Sequence, residues 1–592
     1  MKPSQLLEQR AIEQKIHYPA MKMSEFLEKN NGRYLDDIAL KYYGNNINYE
    51  QLFKAIDSYS IAFKSYGIKE GDFISVCLPT IPEAVAIMYA LNKIGAIYHT
   101  ILPMASTEQI VEVLKANNSK MFIAYDGLYY RVGDAILKSD IPFKVKVSAN
   151  TSLPLGIKQL KYLSDILKKN TYKDIPNDFI TTKELLKKGK GEEVSQVAWA
   201  KDSVAVVSNS SGSTLSTNKA TMLADYGMNA MVENYKIALP EVHRGQTFHS
   251  TIPMFYSTGI SNSVNLPLQL GLPTILEPEF NHVTYPNSFM KHKPNLSIVP
   301  PPHAKSLLNY LRKLYESGNK NRSLLSFVDV FSVGGATLPI PWEEELEFYL
   351  DFFGSSTAVG KGYGLSEHNS ALTVSTKGMI GAAGIVLPGV IMGVFDPITG
   401  EELDFGQEGE IRAISPSDMV AYFNDPDLTE KYFNIDQFGR RWGHTEDIGK
   451  LELINGDVWL FYSGRKKDIV NINNKDILLS KTVAKLFECE FIDDCAIVML
   501  ENEGTSVPVA HIVLKNDFTS QEEVLRSLEG KFDDDSLSEP YAYKIHEILP
   551  VLISGKADKH TLAKENNGYV KLEGNELKSL DFSFKTLQKT IN

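Results

Sequence analysis

The stretch SNSSGSTLSTNKA, Ser208–Ala220, follows the apolar run Val204–Val207 and opens into serines, a glycine and a series of hydroxyls ending in a lysine. A strand that opens into such a loop can aim successive backbone N–H groups at an anion, with Ser and Thr hydroxyls as further donors. Ser211, Gly212, Ser213, Thr214 and Lys219 are the groups that would do so. This is not a phosphate loop of the G-x-x-x-x-G-K-[ST] type, because Gly212 and Lys219 are wrongly spaced and no second glycine precedes the lysine. Taken alone, the stretch reads equally well as a polar turn.

Further stretches follow in order. SVGGATL, Ser332–Leu338, sets a double glycine after an apolar strand. KGYGLSE, Lys361–Glu367, places an aromatic ring and a carboxylate four residues apart beside glycines. WGHTEDIG (Trp442–Gly449), SGRKKD (Ser463–Asp468) and ISGKADK (Ile553–Lys559) complete the series. Each is ordinary by itself: a tight turn, a core tyrosine, a surface aspartate, a charge run, an exposed lysine. In this order and at these separations they resemble the adenylate-forming superfamily of acyl-CoA synthetases, peptide-synthetase adenylation domains and beetle luciferases. The resemblance runs from near Ala20 to near Glu565.

The resemblance implies a two-step reaction. A carboxylate attacks the α-phosphate of ATP to give an acyl-adenylate and pyrophosphate, and a thiol, usually that of coenzyme A, then displaces AMP. Bringing an anionic nucleophile to a polyanion requires fixed positive charge and oriented donors in a dry site. By resemblance, Lys556 reaches the carboxylate and the α-phosphate, Ser366 touches the α-phosphate, and Glu367 holds Mg²⁺. Tyr363 stacks on adenine, while Gly334, Gly335, Ala336 and Gly364 let the backbone approach the nucleotide. Asp447 accepts the ribose hydroxyls, Arg465 adds charge at ribose and phosphate, and Ser211, Gly212, Ser213, Thr214 and Lys219 cradle the phosphates. Lys467 matches the hinge about which a small domain swings between the half-reactions.

The chain departs from the family pattern in several places. Leu215 stands where the phosphate loop has glycine, the loop's proline is absent and one extra residue precedes Lys219. Glu446 replaces a glycine before Asp447, Asn474 replaces a glycine after the hinge, and Leu479 and Lys481 replace Pro and Glu. A leucine held at positive φ costs about 1–2 kcal/mol. A catalytically impaired nucleotide- or acyl-binding protein is therefore the alternative to a working ligase. The retention of Glu367, Asp447, Arg465 and Lys556 favours the ligase.

The acid is addressed by Phe255, Tyr256, Gly259, Val333 and Gly364, the expected acyl pocket. Amino-acid-activating relatives carry an Asp where Tyr256 stands, and a buried ammonium without a carboxylate is costly, so an α-amino acid is not expected. Acetyl-activating relatives carry a tryptophan where Gly364 stands, which points to space for a larger acyl or aryl acid and to fatty acid metabolism. Free coenzyme A is the simplest acceptor, with a separate carrier protein as the alternative.

The elements that must hold these groups read as α/β. FISVCLP, PEAVAIMYALNKIG, AIYHTIL, STEQIVEVLKANN and MFIAYD alternate strand and helix, which predicts a parallel sheet covered on both faces. Leu185–Glu193 reads as a solvated loop. The predicted architecture is a large N-terminal domain, residues 1–466, of doubly wound βα subdomains plus a β-rich subdomain. A small mobile α+β domain, 467–569, and a polar tail, 570–592, follow. At 592 residues, with 43% hydrophobic and 23% charged residues, the composition is that of a soluble globular protein. The net charge of −12 gives no broad cationic face for nucleic acid. The charged N-terminus is not a secretory signal, and the most apolar region, Phe73–Met104, is too interrupted to span a membrane. Three cysteines without Cys-x-x-Cys spacing predict neither a zinc site nor a disulfide scaffold, and a cytoplasmic protein fits best.

Overall fold

The computed structural model describes residues 1–148, 151–154, 156–157, 175–176, 178–189, 193–209, 219–279, 281–472, 475–502, 505–515, 520–528, 531–532, 539–552, 557–573 and 576–582. The alternating apolar runs form two large sheets. The first has eight strands in the order Ala421–Tyr422, Ala220–Ala224, Val204–Asn209, Ile97–Thr100, Phe73–Cys77, Met121–Tyr125, Phe143–Val147, Ile180–Thr181. Its strands from Val204–Asn209 to Ile180–Thr181 run parallel, and Ala220–Ala224 folds back antiparallel on Val204–Asn209. The second has seven, in the order Val359–Gly362, Val330–Gly334, Leu296–Val299, Phe248–Ser250, Thr274–Leu276, Ile38–Tyr42, Asn45–Asn48, parallel except at the last.

Helix Pro82–Lys93 shows why this arrangement is stable. Proline occupies its first turn, and Pro82 to Asn92 are all buried, so the helix is apolar on every side and packs inside the layers rather than on their surface. Gly95, at φ +76°, turns the chain from this helix into strand Ile97–Thr100.

The third sheet is antiparallel and built around the long hairpin Arg441–Ile454/Asp457–Arg465. The chain then makes a short 3₁₀ turn, Lys466–Asp468, and a hairpin, Ile469–Ile472/Lys475–Leu478. A five-stranded sheet follows: Ile492–Asn502, Thr505–Leu514, Ala542–His546, Tyr569–Glu573, Glu576–Leu580. This C-terminal unit docks on helices Pro301–Glu316 and Ile340–Phe352. Leu479, Leu486 and Phe487 share a buried apolar cluster with Leu338, Trp342 and Leu346. Trp342 meets Phe487 edge to face and donates its Nε1–H to the Asp493 carbonyl at 2.9 Å, while Lys305 pairs with the Asp493 carboxylate at 2.6 Å.

Two expectations are corrected. Residues 570–573 and 576–582 are not tail: they complete strand Tyr569–Glu573 and form Glu576–Leu580, and Phe582 is buried against Tyr569, while 583–592 of the expected tail lie outside the described residues. Alternation of Val570, Leu572 and Leu580 with polar residues hides this strand pair in a charged-looking sequence. Leu185–Lys188 is not loop but the end of helix Thr182–Lys188, started by a capping box of Thr181 and Glu184 and anchored by buried Leu185. All three cysteines are free and buried. Among the described residues no helix is long and apolar enough to cross a membrane.

Candidate active site

The site forms where strand ends of the second sheet face the long hairpin of the third. Val330–Gly334 and Val359–Gly362 lie side by side, with Gly334 opposite Gly362. A Cβ on Gly334 would stand 3.3 Å from the Gly362 carbonyl, and Gly335 turns away at φ +84° into open space. These glycines, with exposed Ala336, leave the strand ends bare.

Tyr363 continues from Gly362. Its backbone N–H donates to Thr373 Oγ1 at 2.9 Å, and its phenol donates to Asp447 Oδ2 at 2.8 Å. Burial, followed by the Asp447 charge, pushes the phenol far above its ordinary range. Asp447 stands directly opposite Arg465 in the hairpin, and Arg465 Nε lies 3.4 Å from Asp447 Oδ1. The Tyr462 ring is 5.9 Å from that of Tyr363. Two tyrosines, an aspartate and an arginine thus form one unit from residues separated by about 100 positions.

The loop after Tyr363 folds back sharply. Ser366–His368 make a 3₁₀ turn, and Asn369 (φ +54°) and Ser370 (φ +97°) both adopt left-handed backbone. Such conformations persist when surrounding contacts enforce them. Here Ser261 Oγ donates to Asn369 Oδ1 at 2.5 Å, and the Met419 N–H donates to the Glu367 carbonyl at 2.8 Å. His368 Nδ1–H donates to Asp418 at 2.5 Å, leaving Nε2 to accept from the Tyr432 hydroxyl at 2.9 Å. The turn therefore presents Glu367 from a fixed platform. Glu367 is 8% exposed, and its Oε1 accepts from the Tyr422 hydroxyl at 2.6 Å. Ser366 Oγ accepts from Ser257 Oγ at 2.9 Å.

Asn209 and Ala220 pair across the base of the hydroxyl-rich loop, and Asn209 also bridges to Tyr256, beside Ser257. Ser211, Gly212, Ser213, Thr214 and Leu215 lie outside the described residues, as do Asn474 and Lys556. Lys219 is described: its ammonium lies 6.0 Å from the Tyr422 ring centre, on the side of Glu367's partner. Lys467 is exposed in the 3₁₀ turn after Arg465. Desolvation lowers its pKa, and the charges of Arg465, Lys219 and Lys559 act in the same direction. This corner gathers cations from both the large and the C-terminal units.

The expected acyl pocket is corrected in three places. Val333 points into the buried cluster with Leu307 and Trp342, on the helix side of its strand. Gly364 is exposed, but a Cβ there would lie 1.4 Å from the Ser370 carbonyl oxygen, so it is required by the folded-back loop and opens no room for a side chain. Gly259 answers to the same need, its Cβ direction ending 1.9 Å from the Pro253 carbonyl oxygen. Phe255 packs against the cluster around Cys77 and Phe122, and Tyr256 is half-buried at the start of helix Ser257–Ile260. A cavity does lie on the other face of Val333's strand, toward its start. An apolar cavity of about 190 Å³ is lined by Ser332, Ile298, Phe248, Leu266, Tyr235 and Val374 among others. Strand alternation puts Val330 and Ser332 on its face and Val333 on the other.

Sequence reading missed Tyr422, Tyr462, Ser257 and the His368–Asp418–Tyr432 set. Their placement depends on long-range pairing, such as that of Ala421–Tyr422 with Ala220–Ala224, which leaves no local pattern. Glu446 has backbone φ +57°, so the glycine-type conformation is kept although the residue is a glutamate.

Solved structures share this arrangement of sheets. The benzoate CoA ligase of Burkholderia xenovorans LB400 superposes with a TM-score of 0.74 at 16% identity, covering 92% of this chain and all 100% of that one. The anthranilate CoA ligase AuaEII, in complex with anthranoyl-AMP, superposes with a TM-score of 0.76 at 14% identity, covering 92% and 97%. The architecture is that of the adenylate-forming enzymes. The profile of the AMP-binding enzyme family matches residues 27–423, and the chain belongs to that family. Curated relatives include a probable 4-coumarate–CoA ligase 2 of Dictyostelium discoideum, 24% identical over 501 residues, covering 83% of this chain and 84% of the relative. The 4-coumarate–CoA ligase 1 of Solanum tuberosum is 24% identical over 486 residues, covering 80% of each.

Proposed function

We propose that the protein is an AMP-forming acid–thiol ligase that activates an apolar carboxylic acid with ATP and passes the acyl group to coenzyme A. The observation that carries this reading is the Tyr363–Asp447–Arg465 unit beside the Glu367 platform, within a chain of the AMP-binding family. A flat ring at the strand end, a buried carboxylate and a guanidinium suit an adenosine: ring for base, carboxylate for ribose hydroxyls, cation for phosphate. Names of the curated relatives supply the class of acceptor, coenzyme A.

Glu367 fits a Mg²⁺ role by its donor chemistry. Its carboxylate is nearly buried, Tyr422 satisfies one lone pair, and no ion pair to it is present among the described residues. A hard dication prefers such oxygens together with phosphate, and when bound would neutralise charge building on the phosphates. Lys219, Arg465 and Lys467 hold positive charge in the same corner, Ser366 is oriented by Ser257, and Ser211–Thr214, which lie between Asn209 and Lys219 in sequence, are assigned to the phosphates. Lys556 is assigned to the adenylation step, Lys467 to the pivot between residues 1–466 and the C-terminal unit that follows them.

The acid's apolar body is assigned to the cavity beside Ser332. A cavity of about 150 Å³ accepts benzene, so 190 Å³ suits an acid with one aromatic ring or a short branched chain. Pyrophosphate–ATP exchange tests the proposal. Exchange should require both Mg²⁺ and a carboxylic acid of this size, and coenzyme A should then convert the adenylate to a thioester. No exchange with any acid of a broad aryl and acyl panel, in folded protein that still binds AMP, refutes a working ligase and favours the impaired binder. Exchange without thioester formation on coenzyme A assigns the acceptor to a carrier protein.

A further inference from the structure

The C-terminal sheet carries a second group of chemically apt side chains, outside the adenylation site. His511 lies in strand Thr505–Leu514, His546 ends strand Ala542–His546, and Glu565 follows helix Lys559–Leu562. One ligand atom from each lies within 4.8 Å of the other two. We propose that His511, His546 and Glu565 form a binding site for a divalent transition-metal ion of the zinc type.

The hydrogen bonds fix which nitrogen is available. The Tyr569 hydroxyl donates its one proton to the Glu565 carbonyl at 3.1 Å, so its oxygen accepts from His511 Nε2–H at 3.2 Å. His511 Nδ1 then carries a lone pair, and it points at His546 Nε2, 2.8 Å away. Without metal the two nitrogens share a single proton, and a metal ion can take that proton's place. An imidazole pinned through its other nitrogen by an oxygen is the usual support of a metal-binding histidine. Two neutral imidazoles and a carboxylate are a donor set that zinc accepts, with water in the fourth position. Burial holds His511 down at about 4 and lowers His546 as well. His546 Nε2 and Glu565 Oε2 are 3.8 Å apart. Tetrahedral bonds of about 2.0–2.1 Å put neighbouring donors roughly 3.4 Å apart, so small side-chain adjustments close the set.

One group opposes the ion. Lys544 Nζ lies 2.6 Å from Glu565 Oε2 and neutralises it. Metal binding must displace this ammonium, which gives the proposal a distinctive signature. The site's position also gives it a consequence. His546 precedes, and Glu565 follows, the segment whose base is closed by the Val551–Ala557 bridge and which includes Lys556. An ion held at His546 and Glu565 would fasten both flanks of that segment.

Full-length protein, stripped with chelator, is titrated with Zn²⁺ in competition with a chromophoric chelator and with Co²⁺ followed by visible absorption. One ion per chain should bind in excess Mg²⁺. His546→Gln and Glu565→Gln, both at partly buried positions, should weaken it by at least about tenfold, and Tyr569→Phe by about tenfold. Lys544→Gln should tighten it. His511→Gln is informative only if it folds, so the other variants carry the test. Glu367→Gln, at the other site, should leave this binding unchanged. Absence of Zn²⁺ binding by the folded wild-type chain overturns the proposal, as does an affinity indifferent to His546→Gln and Glu565→Gln.

Discussion

The nucleotide corner lies at the far ends of the second sheet's strands, while the apolar cavity reaches from Ser332 back to the strand starts at Phe248, Leu296 and Val330, and the two are built on opposite principles. In the corner each side chain is held by named partners: Tyr363 by Asp447, Asp447 by Arg465, Glu367 by Tyr422, Ser366 by Ser257. In the cavity the walls are mostly aliphatic and aromatic, and Ser332 and Thr376 are among the few hydroxyls. Directional bonds specify one ligand tightly, because a missing partner leaves a buried polar group exposed to a large penalty. An apolar wall discriminates weakly, by about 1–3 kcal/mol per methylene. The corner can therefore serve one common cosubstrate, while the cavity can be retuned for different acids by changing side-chain volume.

The largest expected effect breaks the corner. Asp447→Asn keeps the shape but removes the charge facing Arg465. Hydrogen bonds to charged groups contribute about 1.5–3 kcal/mol, so kcat/KM for ATP should fall roughly 10–100-fold while the KM for the acid barely moves. Equal loss for both substrates would show that the two regions are not separable. Ser332→Phe makes the reciprocal test by filling the cavity. Ring-sized acids should lose about tenfold in kcat/KM with the KM for ATP unchanged, alongside a stability cost of about 1–3 kcal/mol. If acid preference is indifferent to this change, the cavity is not where the acid sits. Tyr422→Phe removes one bond from Glu367 and should raise the Mg²⁺ concentration for half-maximal rate about 2–10-fold, the equivalent of about 0.5–1.5 kcal/mol. The smallest effect is Glu446→Gly. Relief of left-handed strain, offset by the glycine's greater unfolded freedom, should stabilise the fold by about 0.5–1 kcal/mol, seen as a higher denaturant midpoint with unchanged slope.

The same division explains what the sequence disclosed. Tyr363, Glu367, Asp447 and Arg465 could be picked out because charge and aromaticity at fixed order mark them, and the structure brings them to one corner. The βα alternation of Phe73–Tyr125 was legible because hydrophobic periodicity is local. Gly364 and Val333 were misread because an empty position and an apolar one gain meaning only from what packs against them: the Ser370 carbonyl in one case, helix Pro301–Glu316 in the other. The strand pair Tyr569–Leu580 was hidden by its charged outward residues. Tyr422 acquires its role from a partner strand some 200 positions earlier, and no local reading reaches that far.

The contact between Trp342 and Phe487 has a thermal consequence. Any reorientation of the C-terminal unit that separates these rings, with Leu479 and Leu486, hands apolar surface to water, and such exposure raises heat capacity. The docked arrangement would then be held by a force that weakens on cooling, leaving the Lys305–Asp493 ion pair as the catch that salt can loosen. Turnover limited by that separation should trace a curved Arrhenius plot, with cold and moderate salt acting together to free the domain.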